Sequence, residues 1–299
     1  RNAVRRMPEW DYFDTLNTRL GAPVDDFQMP ANYPRKMIRS MGRVSLLSVR
    51  ASEMALIDAG LLDDPALRDG RTGIAYGSSS GSVDPVRIFG HMLESGSMQG
   101  VTSISYIQMM PHTTAVNVGL FFGLKGRVIP TSSACTSGSQ GIGYAYEAIR
   151  FGRQTIMLAG GAEEISAPGA AVFDTLFATT CRNDSPTTTP RPFDRDRDGL
   201  VVGEGAATLV LEDYEHAKAR GARIYAEILG FATNSDGSHI TQPESATMAF
   251  VMQQALDDAK LPPSAIGYVS AHGTATDRGD VAESHATVSV LGAGKPISS

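Results

Sequence analysis

Along most of this chain, short apolar runs bounded by glycine alternate with longer stretches of helical period, and that alternation leaves few folds open. The runs at 72–76, 127–131, 155–159 and 206–211 read as buried strands. Segments at 49–59, 109–122 and 138–151 carry apolar residues at helical spacing, as in Ile142, Ala145 and Ile149. Strands that are apolar on both faces need cover on both, so the pattern predicts an α/β protein with its sheet between helical layers. A Ser/Gly loop at 77–82 follows the first of these strands. A helix is expected from Asp84, with its carboxylate as the cap and Pro85 at the first helical position. A polar, proline-rich loop spans 182–198. After Gly221 the pattern restarts with a strand at 224–231, a helix at 247–259, a strand at 266–270 and a helix after Asp280. Two lobes are therefore expected, 1–220 and 221–299, the second cut short.

With 299 residues, 42% of them hydrophobic and 19% charged, the chain has ample material for a large core. Its net charge of -6 argues against coating nucleic acid, which requires a basic surface. No stretch approaches the roughly 20 apolar residues of a membrane span. The opening residues lack the apolar core of a signal peptide, so a soluble cytoplasmic protein is expected. Two cysteines, Cys135 and Cys181, cannot build a disulfide framework, which fits a reducing compartment. The chain opens on charged residues and stops where a strand begins, and truncation at both ends is expected.

The candidate chemistry centres on Cys135. The strand at 127–131 runs straight into Ser132-Ser133-Ala134-Cys135, and a helix follows from 138. A thiol at a helix N-terminus feels the positive end of the helix dipole and free N–H groups, which favour the thiolate. The neighbours Ser132, Ser133, Ala134, Thr136, Ser137, Gly138 and Ser139 are small, so a bulky thioester has room to approach and a backbone N–H can face its oxyanion. A buried cysteine acting as a small hydrophobe is the commoner case in general; the strand–turn–helix setting favours the nucleophile. Cys181, before Arg182-Asn183-Asp184 in a polar loop, reads as structural or incidental.

The segment Thr131-Ser132-Ser133-Ala134-Cys135-Thr136-Ser137-Gly138 resembles the nucleophile segment of the β-ketoacyl-acyl carrier protein synthases, in particular those that elongate fatty acyl chains. The likeness continues through Leu158-Ala159-Gly160-Gly161-Ala162-Glu163-Glu164, Arg182-Asn183-Asp184, Arg191-Pro192-Phe193-Asp194, Arg197-Asp198-Gly199, Gly203-Glu204-Gly205-Ala206 and His272-Gly273-Thr274-Ala275-Thr276 with Gly279-Asp280. It implies a thiolase-like fold: two related α/β lobes with mixed five-stranded sheets and buried central helices, commonly assembled as a homodimer. It also implies acyl transfer to Cys135, then condensation with malonyl carrier protein and loss of CO2. No metal or diffusible cofactor is implied, since phosphopantetheine arrives on the carrier.

Enolate formation needs a hydrogen bond to the thioester oxygen, and neutral imidazole supplies one. His272, after the predicted strand at 266–270 and among small neighbours, is the candidate; His91, His112, His216, His239 and His285 read as structural. By resemblance, Thr274 and Thr276 bind the amides of the phosphopantetheine arm, although threonines in turns often only stabilise them. Asp280 and Glu283 read as holding the histidine loop, Asp198 and Glu204 as structural. Phe173 falls where the resemblance places an aromatic residue at the acyl-pocket mouth, and Val86 where it places a chain-length gate. Arg35 and Lys36, with Arg39, correspond to a basic segment for docking an acidic carrier. The family also uses a second histidine and a lysine, which are assigned to no residue here. Three alternatives stay open: an acyl-CoA-primed or polyketide-type synthase, a noncatalytic chain-length-factor-like subunit, which usually lacks the cysteine, and a thiolase.

Overall fold

The computed structural model describes residues 2–238 and 242–299, so His239 lies outside the described residues. In chain order the strands are β1 (Arg5–Arg6), β2 (Leu20–Ala22), β3 (Thr72–Gly77), β4 (Val128–Thr131), β5 (Ile156–Glu163), β6 (Val202–Gly203), β7 (Gly205–Glu212), β8 (Val269–Ser270) and β9 (Ile297–Ser298). The helices are α1 (Arg35–Ile38), α2 (Arg43–Asp58), α3 (Asp84–Ser95), α4 (Ser103–Met109), α5 (Thr113–Phe122), α6 (Ser137–Arg150), α7 (Ala167–Asp174), α8 (Tyr214–Ala219), α9 (Ser245–Ala259) and α10 (Asp277–Leu291).

Compactness divides the chain differently from the expected boundary at 220/221. One unit, which holds Cys135, comprises Val24–Glu164 and Glu204–Glu227; the other, which holds His272, comprises Arg1–Pro23, Ile165–Gly203 and Ile228–Ser299. The units interleave because β5 and β7, partners in one ladder, are separated in sequence by a segment that belongs to the other unit.

In the Cys135 unit the strand order is β4-β3-β5-β7, with β3 parallel to both β4 and β5 and β7 antiparallel to β5. The sheet is mixed, as the resemblance implies, with four strands among the described residues rather than five. Period-2 alternation sorts its side chains. Ile74, Tyr76, Ile156 and Leu158 face one way, packing with Val44, Val49 and Leu56 of α2 and Val118 and Phe122 of α5. Ala75, Met157 and Ala159 face the other way, against Ala145 and Ala148 of α6. Burying each of the larger side chains contributes about 1.5–3 kcal/mol. The alanine face does something else: it lets α6 come close. A Cβ on Gly141 would stand 2.8 Å from the Ala75 carbonyl oxygen and 3.1 Å from that of Gly160.

Several boundaries differ from expectation for local reasons. The helix expected at 109–122 starts only at Thr113, as α5, while Met109 ends α4, because Met110 before Pro111 is pushed out of helical geometry. Asp84 lies in the first turn of α3 rather than capping it; Val83 is the cap residue, and its N–H donates to Glu164 Oε1 at 3.2 Å. β5 runs past Gly160-Gly161 because β7 pairs with it as far as Glu163↔Gly205.

In the His272 unit, β1 pairs antiparallel with β2 and β2 parallel with β6, over a core of Met7, Trp10, Leu16 and Ala170. β8 and β9 form a parallel pair, and α9 packs on α10. The run at 224–231 is not a strand among the described residues. From Ile228 onward it lies along α9 instead: Phe231 N–H donates to Asp258 at 3.0 Å, and a Cβ on Gly230 would sit 2.6 Å from the Ala255 carbonyl. A carboxylate of α9 thus takes a backbone group that a ladder would otherwise use.

Gly141→Ala is expected to lower unfolding stability by about 1–3 kcal/mol, since the neighbouring carbonyls cannot withdraw as a flexible side chain would. Urea denaturation checks this, and an unchanged midpoint would contradict the close approach of α6.

Candidate active site

Parallel pairing aligns the carboxyl ends of three strands: Gly77 is opposite both Thr131 and Gly161. In open α/β sheets that edge is where ligands bind. Cys135 follows β4 by four residues and stands just before Thr136, the N-cap residue of the 14-residue helix α6. The chain reverses there on Ala134, whose φ of +51° lies in the left-handed region. For a residue with a Cβ this costs on the order of 1–2 kcal/mol, so neighbouring bonds must hold it. They do: the Ser137 N–H and hydroxyl both donate to the Ala134 carbonyl, at 3.1 and 2.7 Å, and the Thr136 hydroxyl donates to the Ser133 carbonyl at 2.8 Å. The result presents the Cys135 side chain exposed at the positive end of a helix.

The adjoining Ser/Gly loop is held from β5. Glu163 accepts from the Ser79 N–H at 2.7 Å and from the Ser80 hydroxyl at 2.8 Å. Val86, on α3, is exposed. Glu204 is structural, as expected: it receives two bonds from Arg43, at 2.6 and 2.8 Å, and one from the Val24 N–H. Arg35 and Lys36 on α1, and Arg39 after it, are exposed, and their side chains pair with no carboxylate among the described residues.

In the other unit His272 lies on the loop between β8 and α10 and is exposed. Two carboxylates fix that loop. Glu283 accepts from the His272 and Gly273 N–H groups at 2.7 and 2.9 Å. Asp280, 2% exposed, accepts from the Ala275 N–H at 3.1 Å and the Phe193 N–H at 2.7 Å, with Arg197 beside it at 3.4 Å. Left-handed backbone at Gly273 and Ala275 folds the loop so that both carboxylates reach it. The Thr274 and Thr276 hydroxyls bond each other at 2.7 Å.

Phe173 is half-buried on α7. The next residue, Asp174, anchors that helix by accepting from the Asn17 N–H and side-chain amide, the Thr18 N–H and the Thr179 hydroxyl. Burial pushes its pKa up, but these donors outweigh burial and hold it below the usual carboxylate value. Cys181 lines a cavity of about 420 Å³ with Asn17, Asp174, Phe177, Thr179 and Asp198. Desolvation, then the Asp174 and Asp198 charges, push its thiol up and away from the thiolate. Asp198 is structural, accepting from Thr180 and paired with Arg182.

Three features escaped the sequence reading. Ser137 appeared there only as a small neighbour. Arg197, which donates to the Thr276 carbonyl at 3.1 Å, appeared only as part of a motif. Phe177, 91% exposed at a φ of +54°, carries no sequence signal for its backbone geometry.

The chain matches the family described as "Beta-ketoacyl synthase, N-terminal domain" over residues 1–217 and "Beta-ketoacyl synthase, C-terminal domain" over 225–299. It belongs to the β-ketoacyl synthase family. Its fold is accordingly thiolase-like, with mixed sheets and flanking helices, and its enzyme class is that of the condensing acyltransferases. A β-ketoacyl synthase from Burkholderia phymatum STM815 is 70% identical, with a TM-score of 0.98 over 99% of this chain and 73% of that one. The "3-oxoacyl-[acyl-carrier-protein] synthase 2" of Vibrio harveyi is 39% identical over 289 residues, 94% of this chain and 69% of that protein. The "Granaticin polyketide putative beta-ketoacyl synthase 1" of Streptomyces violaceoruber is 34% identical over 303 residues, 98% of this chain and 71% of that protein.

With limiting iodoacetamide at neutral pH, peptide mapping is expected to find Cys135 labelled ahead of Cys181, because the raised Cys181 thiol holds less thiolate. Equal labelling would contradict that contrast.

Proposed function

We propose that the protein is a β-ketoacyl-acyl carrier protein synthase of fatty acid biosynthesis that uses Cys135 as acyl acceptor and His272 in condensation. The observation that carries this is the exposed cysteine on a left-handed turn between the carboxyl end of β4 and the start of α6. The relatives named 3-oxoacyl-acyl carrier protein synthase 2 support the substrate class.

In the first step the Cys135 thiolate attacks the carrier's thioester carbonyl, and the carrier's phosphopantetheine thiolate leaves as the acyl–sulfur bond to Cys135 forms. In the second, malonyl carrier loses CO2, and its electron pair becomes an enolate whose oxygen accepts a hydrogen bond from the His272 imidazole. The family resemblance implies a second histidine for that oxygen, assigned to no residue of this sequence. The enolate carbon then attacks acyl-Cys135, expelling the thiolate and leaving a 3-oxoacyl carrier. Glu283 holds the His272 backbone throughout, while Thr274, Thr276 and Phe173 are assigned to the pantetheine arm and the acyl chain. These steps need no metal or diffusible cofactor, because the carrier brings the phosphopantetheine.

The acidic carrier docks on Arg35 and Lys36, and their exposure, with no carboxylate paired to them among the described residues, supports this. A homodimer is supported by β4, an edge strand with Val128 exposed. No helix among the described residues is long and apolar enough to cross a membrane, and a cytoplasmic location is proposed with the rest. The division into lobes at 220/221 is retained as a sequence boundary, supported by the change of family model between 217 and 225. A polyketide-type synthase is the second candidate, favoured by relatives such as that of Streptomyces violaceoruber. Cys135 itself argues against a chain-length-factor-like subunit.

In the complete protein, His272→Ala is expected to cut CO2 release from malonyl carrier by about 10²–10³-fold while leaving acyl transfer to Cys135 in place. CO2 release at the wild-type rate in this variant would remove His272 from the mechanism.

A further inference from the structure

We propose that Ser137 is a positioning residue for Cys135, its buried hydroxyl bracing the Ser132–Ser133 and Ala134–Cys135 peptide groups of the turn that carries the nucleophile. This rests on the role of Cys135 proposed above. A serine hydroxyl has one proton to give and lone pairs to receive with, and here both capacities are directed at the turn. It donates to the Ala134 carbonyl at 2.7 Å and accepts from the Ser133 N–H at 2.9 Å. The backbone of the same residue adds two more ties: its N–H donates to the Ala134 carbonyl at 3.1 Å, and its carbonyl accepts from the Thr131 hydroxyl at 2.8 Å. A residue two positions after Cys135 in sequence thus holds residues 131, 133 and 134 before it.

The brace cannot retreat. Ser137 is 4% exposed, at the first position of α6. A Cβ on Gly77 of β3 would lie 2.7 Å from the Ser137 Cβ and 2.6 Å from the Thr131 hydroxyl oxygen, so the strand backbone backs the serine at a distance only glycine permits. Ala134, in the left-handed region, is the residue that most needs holding. Without the Ser137 hydroxyl, the Ser133 N–H loses its acceptor and the Ala134 carbonyl keeps only the backbone bond. The turn is then free to relax toward right-handed geometry, which carries the adjacent Cys135 sulfur off its line of attack. Thr136 makes a weaker brace of the same kind: it is exposed, and its hydroxyl reaches the Ser133 carbonyl at 2.8 Å.

The test is Ser137→Ala in the complete protein, with acyl transfer from an acyl carrier followed by intact mass. The acylation rate and kcat are expected to fall about tenfold to a hundredfold with KM for the acyl carrier unchanged, the signature of a misplaced nucleophile rather than a lost binding contact. Titration of Cys135 with iodoacetamide gives the fraction of folded, reactive protein and corrects the rate for it. Wild-type kcat, or a fall wholly accounted for by that fraction, overturns the proposal. Should Ser137→Ala fail to fold, Ser137→Gly, which removes the same hydroxyl, takes its place, with a fall in kcat of similar size expected and a wild-type kcat overturning the proposal. If the wild-type protein takes up no acyl group at Cys135, the proposed function fails by itself. The brace is then judged by alkylation rate alone, slower in Ser137→Ala if it operates and unchanged if it does not.

Discussion

The approach of α6 to β3 and β5 is the contact on which the Cys135 unit depends. Gly141 lies under the carbonyls of Ala75 and Gly160, and a Cβ on Gly161 would stand 3.1 Å from the Gly138 Cα. Alanines at 75, 145, 148 and 159 keep the rest of that interface thin. A helix this close to its sheet must start directly above the strand ends, so the link from β4 has only residues 132–136 in which to turn back. A sharp reversal follows, with one residue left-handed and the next one the cysteine. The position of Cys135 is thus a consequence of helix–sheet spacing, and the hydroxyls of Ser137 and Thr136 secure what the spacing demands.

The His272 loop reaches a comparable end by different means. Two carboxylates of α10 fix it, by collecting backbone N–H groups from the loop and from Phe193. Asp280 is nearly inaccessible and still well supplied with donors, so its burial does not leave an unpaired charge. The Cys135 turn and the His272 loop therefore both combine left-handed backbone with anchors on a helix, the arrangement expected where a loop residue must be held to within about half an ångström.

Much of this was legible in the residues. The α/β alternation, the strand–turn–helix around Cys135 and the holding role of Asp280 and Glu283 all follow from periodicity, residue size and spacing. The partnership of β5 with β7 did not, because a ladder between Glu163 and Gly205 spans an intervening segment of another compact unit, and periodicity says nothing about long-range pairing. The 224–231 run has the apolar composition of a strand, yet α9 supplies its contacts from Ile228 on, and tertiary context overrides local preference there. Ser137 was read only for its size because the direction of a hydroxyl is set by backbone geometry that the letters do not carry. Phe177 and the cavity beside Cys181 were missed for the same reason.

Cys135 is proposed as the residue that receives the acyl group. Incubating the complete protein with an acyl carrier and mapping the mass gain by peptide sequencing tests it most directly. A gain equal to one acyl group on the peptide containing Cys135 is predicted, abolished by Cys135→Ala. Acylation on Cys181, or none on either cysteine while 3-oxoacyl product still forms, would contradict it.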